Sequence, residues 1–229
     1  MKIGIYGDSY ADPAKMNPTP SWTSLLETKY SVTNYAVAGS NLYYSLVQIF
    51  KNFRSYDKNI LVVTQPARLM IPEQYSIPET RQRFIAGIDT VEHLINDAAN
   101  DSSLIKFYES TKQYIMYLQD LRYEDYIHKL MIADLIKKIP NLILIPGFKW
   151  SGLSLNIHSM YEIYVKETSA WNETSDSVRK YIDIRNCHMT AENNAIFASK
   201  VDQWITGAPV YINVDDFVTP TNKEFYLKQ

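Results

Sequence analysis

A serine follows a short apolar run within ten residues of the N-terminus. The run at 2–6 stops at Gly7-Asp8-Ser9, and its small and β-branched residues predict a buried first strand. Gly7 permits a tight turn there, so Ser9 falls just beyond the carboxyl end of the strand, where open α/β sheets bind their ligands. The Ser9 hydroxyl is therefore a candidate nucleophile. The alternative is that Asp8 and Ser9 only cap a turn or a helix.

A histidine near the other end of the chain could act as the base for this serine. His188 lies just before Thr190, which looks like a helix N-cap, and before a segment at 191–205 whose apolar residues recur at helical spacing. Serine is a poor nucleophile until a neighbouring base takes its proton, and an imidazole with a pKa near its ordinary value of about 6.5 can take up and return that proton. Ser9 and His188 therefore form a sensible pair for acyl transfer.

With Ser9 after the first strand and His188 before the last helix, the sequence resembles the SGNH hydrolases, also called the GDSL esterase and lipase family. The resemblance follows the whole chain in order, on short motifs at its two ends and near Gly39. It implies a flavodoxin-like three-layer α/β/α fold with a central parallel sheet, in which Ser9 is the nucleophile and His188 the general base. The competing α/β-hydrolase signature, Gly-x-Ser-x-Gly, does not occur in the chain.

The resemblance also implies an oxyanion hole. The segment 32–41 is interpreted as a second strand ending in Gly39-Ser40-Asn41, similar to the family's second block, whose glycine donates a backbone N–H. The N–H groups of Ser9 and Gly39 are the donors that this implies, and Ser40 is predicted to cap the helix that follows. Such donors stabilise the negative charge that develops on the carbonyl oxygen during acyl transfer.

The family's third block, Gly-x-Asn-Asp, supplies a further oxyanion donor from its Asn side chain. Here the third predicted strand, at 59–64, is followed by a different sequence, Gln65-Pro66-Ala67-Arg68. The Asn is missing. Thr64, Gln65 or Arg68 remain as alternative donors of the same charge stabilisation.

The histidine lacks the acid that the family places three residues before it, because Arg185 stands at that position. Asp183, five residues before His188, is the predicted orienting carboxylate if the loop is wound differently. A backbone carbonyl is the alternative, which would make the pair a Ser-His dyad.

Three residues are predicted to contact the substrate: Asp8, Asn41 and Trp22. Trp22 begins a predicted short helix after a Pro-rich loop that lies next to Ser9 in the sequence. The alternative for this tryptophan is a plain core position, because Leu25 and Leu26 follow at helical spacing.

Length and hydropathy indicate one α/β domain. The chain has 229 residues, 46% of them hydrophobic, and we predict a single domain over 1–229 with a helical insertion around 66–139 and a loop-rich insertion around 148–181. The apolar spacing predicts one long helix over 110–139 and a buried strand from 142. Alternation of strand and helix along the chain indicates a parallel sheet.

Composition argues against several classes of function. A net charge of −2 and a pI near 6.1 give no basic surface for nucleic acid. A single cysteine, Cys187, excludes an internal disulfide, and His93, His128 and His158 lack paired metal-ligand spacing, so no metal and no cofactor are expected. No apolar run is long enough to span a membrane and no signal peptide is recognised, which predicts a protein that acts in the cytoplasm or within a larger particle.

Two functions are compatible with these features. The first is a serine esterase or deacetylase that hydrolyses short acyl esters, including O-acetyl carbohydrate esters, through a Ser-His dyad or triad. The second is a catalytically weakened domain of the same fold that acts in binding or assembly. The 18 tyrosines and four tryptophans suit stacking on sugar rings or contact with a protein partner equally well.

Overall fold

The computed structural model describes residues 1–13, 20–65, 68–75, 84–85, 87–98, 101–148, 158–169 and 189–218. In these residues the strands are β1 (Lys2–Tyr6), β2 (Ser31–Asn34), β3 (Lys58–Val63), β4 (Leu69–Met70), β5 (Phe84–Ile85) and β6 (Leu142–Pro146). The helices are α1 (Trp22–Glu27), α2 (Leu42–Asn52), α3 (Ile88–Asp97), α4 (Ser102–Tyr117), α5 (Leu121–Lys138), α6 (Met160–Ser169) and α7 (Ala191–Ile205).

Four parallel strands form the central sheet in the order β2-β1-β3-β6. Ile5 of β1 pairs with Asn34 of β2 and with Ile60 of β3, and Ile60 pairs with Ile143 of β6. From β1 the chain passes to β2, which pairs with one edge of β1, and then to β3, which pairs with the other edge. The carboxyl ends of β1 and β3 therefore meet at a topological switch point, where parallel sheets of this order bind ligands.

Helices cover both faces of this sheet. The β1 residues Ile3 and Ile5 point into one core, which also contains Trp22 of α1, Ile163 of α6 and Phe197 of α7. The strand residues whose side chains point to the other face are Tyr6, Leu61, Val63 and Leu144. They form the opposite core together with residues of α2 and α5. The predicted three-layer α/β/α architecture with a central parallel sheet is confirmed.

The segment between β3 and β6 has two parts. The antiparallel pair β4–β5 and helices α3 and α4 surround a small core of their own, centred on Val91, Leu94 and Tyr108. Helix α5 packs differently, because its Ile132 and Leu135 belong to the core beneath the sheet. In the predicted helical insertion 66–139, the described residues from β4 to α4 thus pack around their own core, whereas α5 packs against the sheet. In the predicted loop-rich stretch 148–181, α6 is described and most of the remainder lies outside the described residues.

The prediction of one long helix over 110–139 was wrong. The helix is interrupted between α4, which ends at Tyr117, and α5, which begins at Leu121. The Asp120 side chain accepts hydrogen bonds from the backbone N–H groups of Arg122 and Tyr123. Such a cap satisfies the donors at the start of a new helix. The apolar spacing runs through Leu118 and Leu121 without interruption, so it does not reveal the break.

The second strand is also shorter than predicted. It ends at Asn34, whose side-chain Oδ1 accepts from the Ala36 N–H while its Nδ2 donates to the Ala11 carbonyl. This local hydrogen bond turns the chain out of the sheet, as Asx turns do. Residues 35–41 form the loop that approaches Ser9. No helix in the described part of the chain is long and apolar enough to cross a membrane.

Candidate active site

Ser9 lies at the carboxyl end of β1, in a turn that begins at Gly7 and continues as one helical turn. Gly7 adopts a φ of 153°, and the Asp8 carbonyl accepts from the N–H groups of Ala11 and Asp12 at 3.0 and 2.9 Å. Ser9 itself is half-buried. Ser9 thus lies just beyond the carboxyl end of β1, as the sequence predicts, and next to the β1/β3 switch point.

A fully buried carboxylate supports this turn. Asp8 is 0% exposed, and its Oδ2 accepts from the Thr64 hydroxyl at 2.7 Å and from Nη1 of Arg68 at 2.8 Å. Its Oδ1 accepts from the Tyr10 N–H at 3.1 Å. The prediction that Asp8 contacts substrate is therefore corrected: burial and these three donors commit its carboxylate to holding the turn.

Arg68 links the Ser9 turn to the loop before α2. Its Nη1 also donates to the Ser40 carbonyl at 3.1 Å, and its guanidinium lies 5.4 Å from the centroid of the Phe148 ring. The side chain is only 8% exposed, and its buried Nε has no hydrogen-bond partner among the described residues. Because Asp8 and Arg68 neutralise each other, the charge of this arginine is tolerated in the interior.

The three alternative oxyanion donors, Thr64, Gln65 and Arg68, differ in how many of their N–H or O–H groups are not already bonded to Asp8. Thr64 is 0% exposed and has one hydroxyl proton, which it gives to Asp8. Arg68 has further N–H groups besides the one on Asp8, and Gln65 is exposed at the end of β3. The geometry therefore argues against Thr64 and leaves Gln65 and Arg68.

The glycine of the second block lies in a turn that is bonded to the Ser9 turn. The Gly7 carbonyl accepts from the Val37 N–H at 3.1 Å and from the Ser40 hydroxyl at 2.9 Å, and Asp12 Oδ2 accepts from the Ala38 N–H. Gly39 has a φ of 76°, a left-handed conformation that glycine adopts without strain. Two segments predicted to supply oxyanion donors are thus held side by side.

Asn41, predicted to contact substrate, has a capping role. Its side chain accepts from the Tyr44 N–H at 2.9 Å, which makes it the N-cap of α2, and donates to the Arg68 carbonyl at 3.2 Å. The prediction that Ser40 caps this helix was wrong, because the Ser40 hydroxyl donates to Gly7 instead. Asn41 is half-buried, so the cap leaves part of its surface accessible.

Trp22 occupies a core position. It is 1% exposed, its indole N–H donates to the Tyr10 carbonyl at 2.7 Å, and its ring meets Phe197 edge to face. The interpretation of Trp22 as a wall of the substrate site is corrected accordingly. Through the bond to Tyr10, this tryptophan holds the residue that follows Ser9.

Asn194 is a residue of this region that the sequence analysis missed. Its Oδ1 accepts from the Trp22 N–H at 3.0 Å, and its Nδ2 donates to the carbonyls of Met189 and Thr190 at 3.0 and 2.9 Å. The sequence contained one signal for this role: Asn194 is a polar residue four positions before Ala198, on the buried face of α7. Asn194 thereby ties the beginning of α7 to α1.

His188 and Asp183 lie outside the described residues. Met189, the next described residue, is 2% exposed and lies in the core that also contains Trp22 and Phe197. Thr190 is the N-cap of α7, as predicted, and accepts from the Asn193 N–H. Among the described residues, no group of three or more histidine, cysteine, aspartate or glutamate side chains could hold a metal ion.

Replacing Gly7 with alanine is expected to destabilise the protein by about 1–3 kcal/mol, the cost of a strained backbone conformation. L-residues rarely adopt a φ of +153°, and a Cβ would lie 2.8 Å from Cβ of Val62 and 3.1 Å from its carbonyl oxygen. Urea unfolding measures the loss. Gly87→Ala is the control, since nothing lies within 4 Å of its added Cβ; equal effects of the two substitutions would contradict the role of Gly7.

No family model and no curated protein matches the chain. A proposed lipolytic protein of the G-D-S-L family from Desulfitobacterium hafniense DCB-2 is similar over 89% of this chain and 98% of its own, at 10% identity and a TM-score of 0.32. A proposed platelet activating factor from Streptococcus pneumonia is similar over 64% and 65%, at 14% identity and a TM-score of 0.23. At these scores neither likeness carries an argument about activity.

Proposed function

We propose that the chain is a serine ester hydrolase with Ser9 as nucleophile and His188 as general base. Its substrates in this proposal are short acyl esters, including O-acetyl groups on carbohydrates. Ser9 lies at the switch point of a parallel sheet, where such folds bind ligands, and the turn that carries it is held by a buried ion pair. The proposal draws its pairing of serine and histidine from the sequence resemblance.

A path of three hydrogen bonds between the neighbours of the two residues carries the proposal. The Tyr10 carbonyl accepts from the Trp22 indole, the Trp22 N–H donates to Asn194, and Asn194 donates to the Met189 carbonyl. Tyr10 immediately follows Ser9, and Met189 immediately follows His188. The residues that immediately follow the two proposed catalytic residues are thus linked through Trp22 and Asn194, which supports a shared site.

The proposed reaction needs only these groups and water. The Ser9 hydroxyl attacks the ester carbonyl while His188 takes its proton, and the tetrahedral intermediate expels the alcohol, which receives that proton from the imidazolium. Water then attacks the acyl-serine while His188 takes its proton, which gives a second tetrahedral intermediate. Collapse of this intermediate breaks the bond to the Ser9 oxygen, which receives the proton from His188, and releases the carboxylic acid. No metal and no cofactor are required.

The N–H groups of Ser9 and Gly39 are the proposed oxyanion donors, with Gln65 or Arg68 as the third. Arg68 could donate through nitrogens not committed to Asp8, whereas Gln65 would supply a neutral amide. A side-chain donor of this kind contributes on the order of 10²–10³ in turnover. Asp183, or a backbone carbonyl, remains the proposed group that orients His188.

A fluorophosphonate probe, which reacts with activated serines, tests the proposal directly. The intact protein is expected to be labelled, and Ser9→Ala and His188→Ala are expected to lose labelling, because the first removes the nucleophile and the second its base. Ser110→Ala, at an exposed helix position, is the matched control, and heat-denatured protein is the blank. Absence of labelling in folded protein would overturn the mechanism and favour the alternative of a binding or assembly domain.

A further inference from the structure

The segment around Gly39 is a tight turn with a defined backbone geometry. Residues 37–40 form a β-turn, in which the Ser40 N–H donates to the Val37 carbonyl at 3.0 Å. Gly39 is the third residue of this turn, and its φ of 76° is close to the value of about +80° that type II turns have at this position. The direction of each amide in the segment is therefore set by the turn.

Three of the four N–H groups in this turn have acceptors. One forms the bond within the turn, and the other two leave it. Val37 donates to the Gly7 carbonyl at 3.1 Å, and the Ala38 N–H donates to Oδ2 of Asp12 at 2.9 Å. The fourth, the Gly39 N–H, donates to no group in the described part of the chain. A backbone donor inside a protein normally has a partner, so this amide is available to an oxygen of a bound substrate.

Asp12 is the side chain that fixes the middle of the turn. It ends the helical turn that begins at Asp8, since its own N–H donates to the Asp8 carbonyl at 2.9 Å. From there its carboxylate accepts from the Ala38 N–H, the amide directly before that of Gly39. The other hydrogen bonds that hold this turn act at its two ends. The bond from Asp12 therefore bears most directly on where the Gly39 amide points.

A purely structural bond is the alternative reading of this contact. Carboxylates accept backbone N–H groups elsewhere in the chain, as Asp57 does from Lys2 at 2.7 Å, at the amino end of β1. Asp12 differs in what it joins. It connects the turn that carries Ser9 to the turn that carries Gly39, and these are the two segments that supply the proposed oxyanion donors.

We propose that Asp12 is a positioning residue of the oxyanion hole. By accepting from the Ala38 N–H, it holds the turn so that the Gly39 N–H points at the negative oxygen of the tetrahedral intermediate on Ser9. In this role, which rests on the proposed hydrolytic function, Asp12 does not touch the substrate. Its effect reaches the reaction through the direction of one amide, and it is therefore realised in the transition state rather than in substrate binding.

Kinetics of two substitutions at Asp12 test the proposal. Asp12→Ala is expected to lower kcat for a chromogenic acetyl ester by about 10²-fold, the cost of misplacing a group by about 1 Å, with KM nearly unchanged. Asp12→Asn should keep most of the rate, because its amide oxygen accepts the same hydrogen bond. Asp57→Ala is the matched control and should keep the full rate, since it removes a similar bond at the opposite end of β1. An unchanged kcat in Asp12→Ala, or an equal loss in Asp12→Asn, would overturn the proposal.

Nuclear magnetic resonance separates positioning from stability. The chain has seven glycines, so isotope labelling of glycine alone gives a simple amide spectrum, which also shows whether each variant is folded. A fluorophosphonate bonds to the serine oxygen with loss of fluoride, and its phosphonyl oxygen then occupies the place of the oxyanion. The Gly39 amide proton is expected to move downfield on this reaction in the unmodified protein and in Asp12→Asn, because N–H bonds to a charged oxygen are short and strong. The movement should be smaller in Asp12→Ala.

The outcomes distinguish this role of Asp12 from the hydrolytic function on which it rests. If folded, unmodified protein does not react with the fluorophosphonate, the hydrolytic mechanism fails and the role of Asp12 fails with it. If the protein reacts but the Gly39 signal stays in place, or moves equally in Asp12→Ala, the hydrolytic mechanism stands and the positioning role is overturned.

Discussion

Replacing His188 with alanine is expected to lower kcat/KM for a chromogenic acetyl ester by about 10²–10⁴-fold, the contribution that general acid–base catalysis makes to such reactions. Without the imidazole, the Ser9 hydroxyl keeps its proton and attacks the carbonyl poorly. Stopped-flow or steady-state assays of the released chromophore measure the change. The loss should fall on kcat rather than KM, since the base acts in the transition state and not in substrate binding.

Added imidazole separates loss of the base from loss of the fold. In the His188→Ala protein, free imidazole is expected to restore part of the rate, with saturation as the vacated space fills. The Ser9→Ala protein should gain nothing from imidazole, because no nucleophile remains. His93→Ala, at an exposed position on α3, is the matched control and should keep full activity. An unchanged rate in His188→Ala would rule out the histidine as the base.

The second large effect concerns stability rather than turnover. Replacing Arg68 with methionine is expected to destabilise the protein by about 3–5 kcal/mol, since it leaves Asp8 as an uncompensated charge in the interior. Asp8 is 0% exposed and the arginine side chain 8% exposed, so solvent screens the pair little. Urea unfolding, from the midpoint and the slope of the transition, gives the free energy of unfolding.

A double variant isolates the charge from the packing. Asp8→Asn combined with Arg68→Met removes both charges, and we expect it to recover much of the loss, because replacing a buried pair costs less than breaking it. Lys138→Met is the control: its ion pair with Asp134 is more than half exposed on both sides, and exposed pairs are worth about 0–1 kcal/mol. If Arg68→Met changed stability no more than this control, the buried pair would not hold the turn.

The part of the fold that the sequence could predict is the part encoded by neighbouring residues. Apolar runs bounded by Gly7 and by Pro146-Gly147 indicate two buried strands of the sheet, and Thr190 indicates the start of the last helix. These signals are local, because strand burial, turns and caps depend on residues a few positions apart. The break between α4 and α5 was also encoded locally, in Asp120, but the continuous apolar spacing obscured it.

The supports of the candidate site could not be predicted in the same way. Arg68 reaches Asp8 across 60 residues, and Asn194 reaches Trp22 across 172 residues. No periodicity links such positions, since they meet only when the sheet and its covering helices are assembled. Asp8 and Trp22 were assigned to substrate because they lie near Ser9 in the sequence, and Asn41 belongs to the predicted second block, Gly39-Ser40-Asn41. Their burial and hydrogen bonds, which decide their actual roles, are properties of the assembled fold.

The bond between Trp22 and Asn194 has a consequence for how the protein is made. Synthesis delivers the first three strands of the sheet, which end at Val63, well before α7, which begins at Ala191. Until then, Trp22 and Leu26 of α1 lack the helix that covers them in the finished protein. Until α7 is made, a nascent chain therefore carries an uncovered apolar surface beside the segment that holds Ser9, and this is when chaperones bind and when aggregation competes with folding.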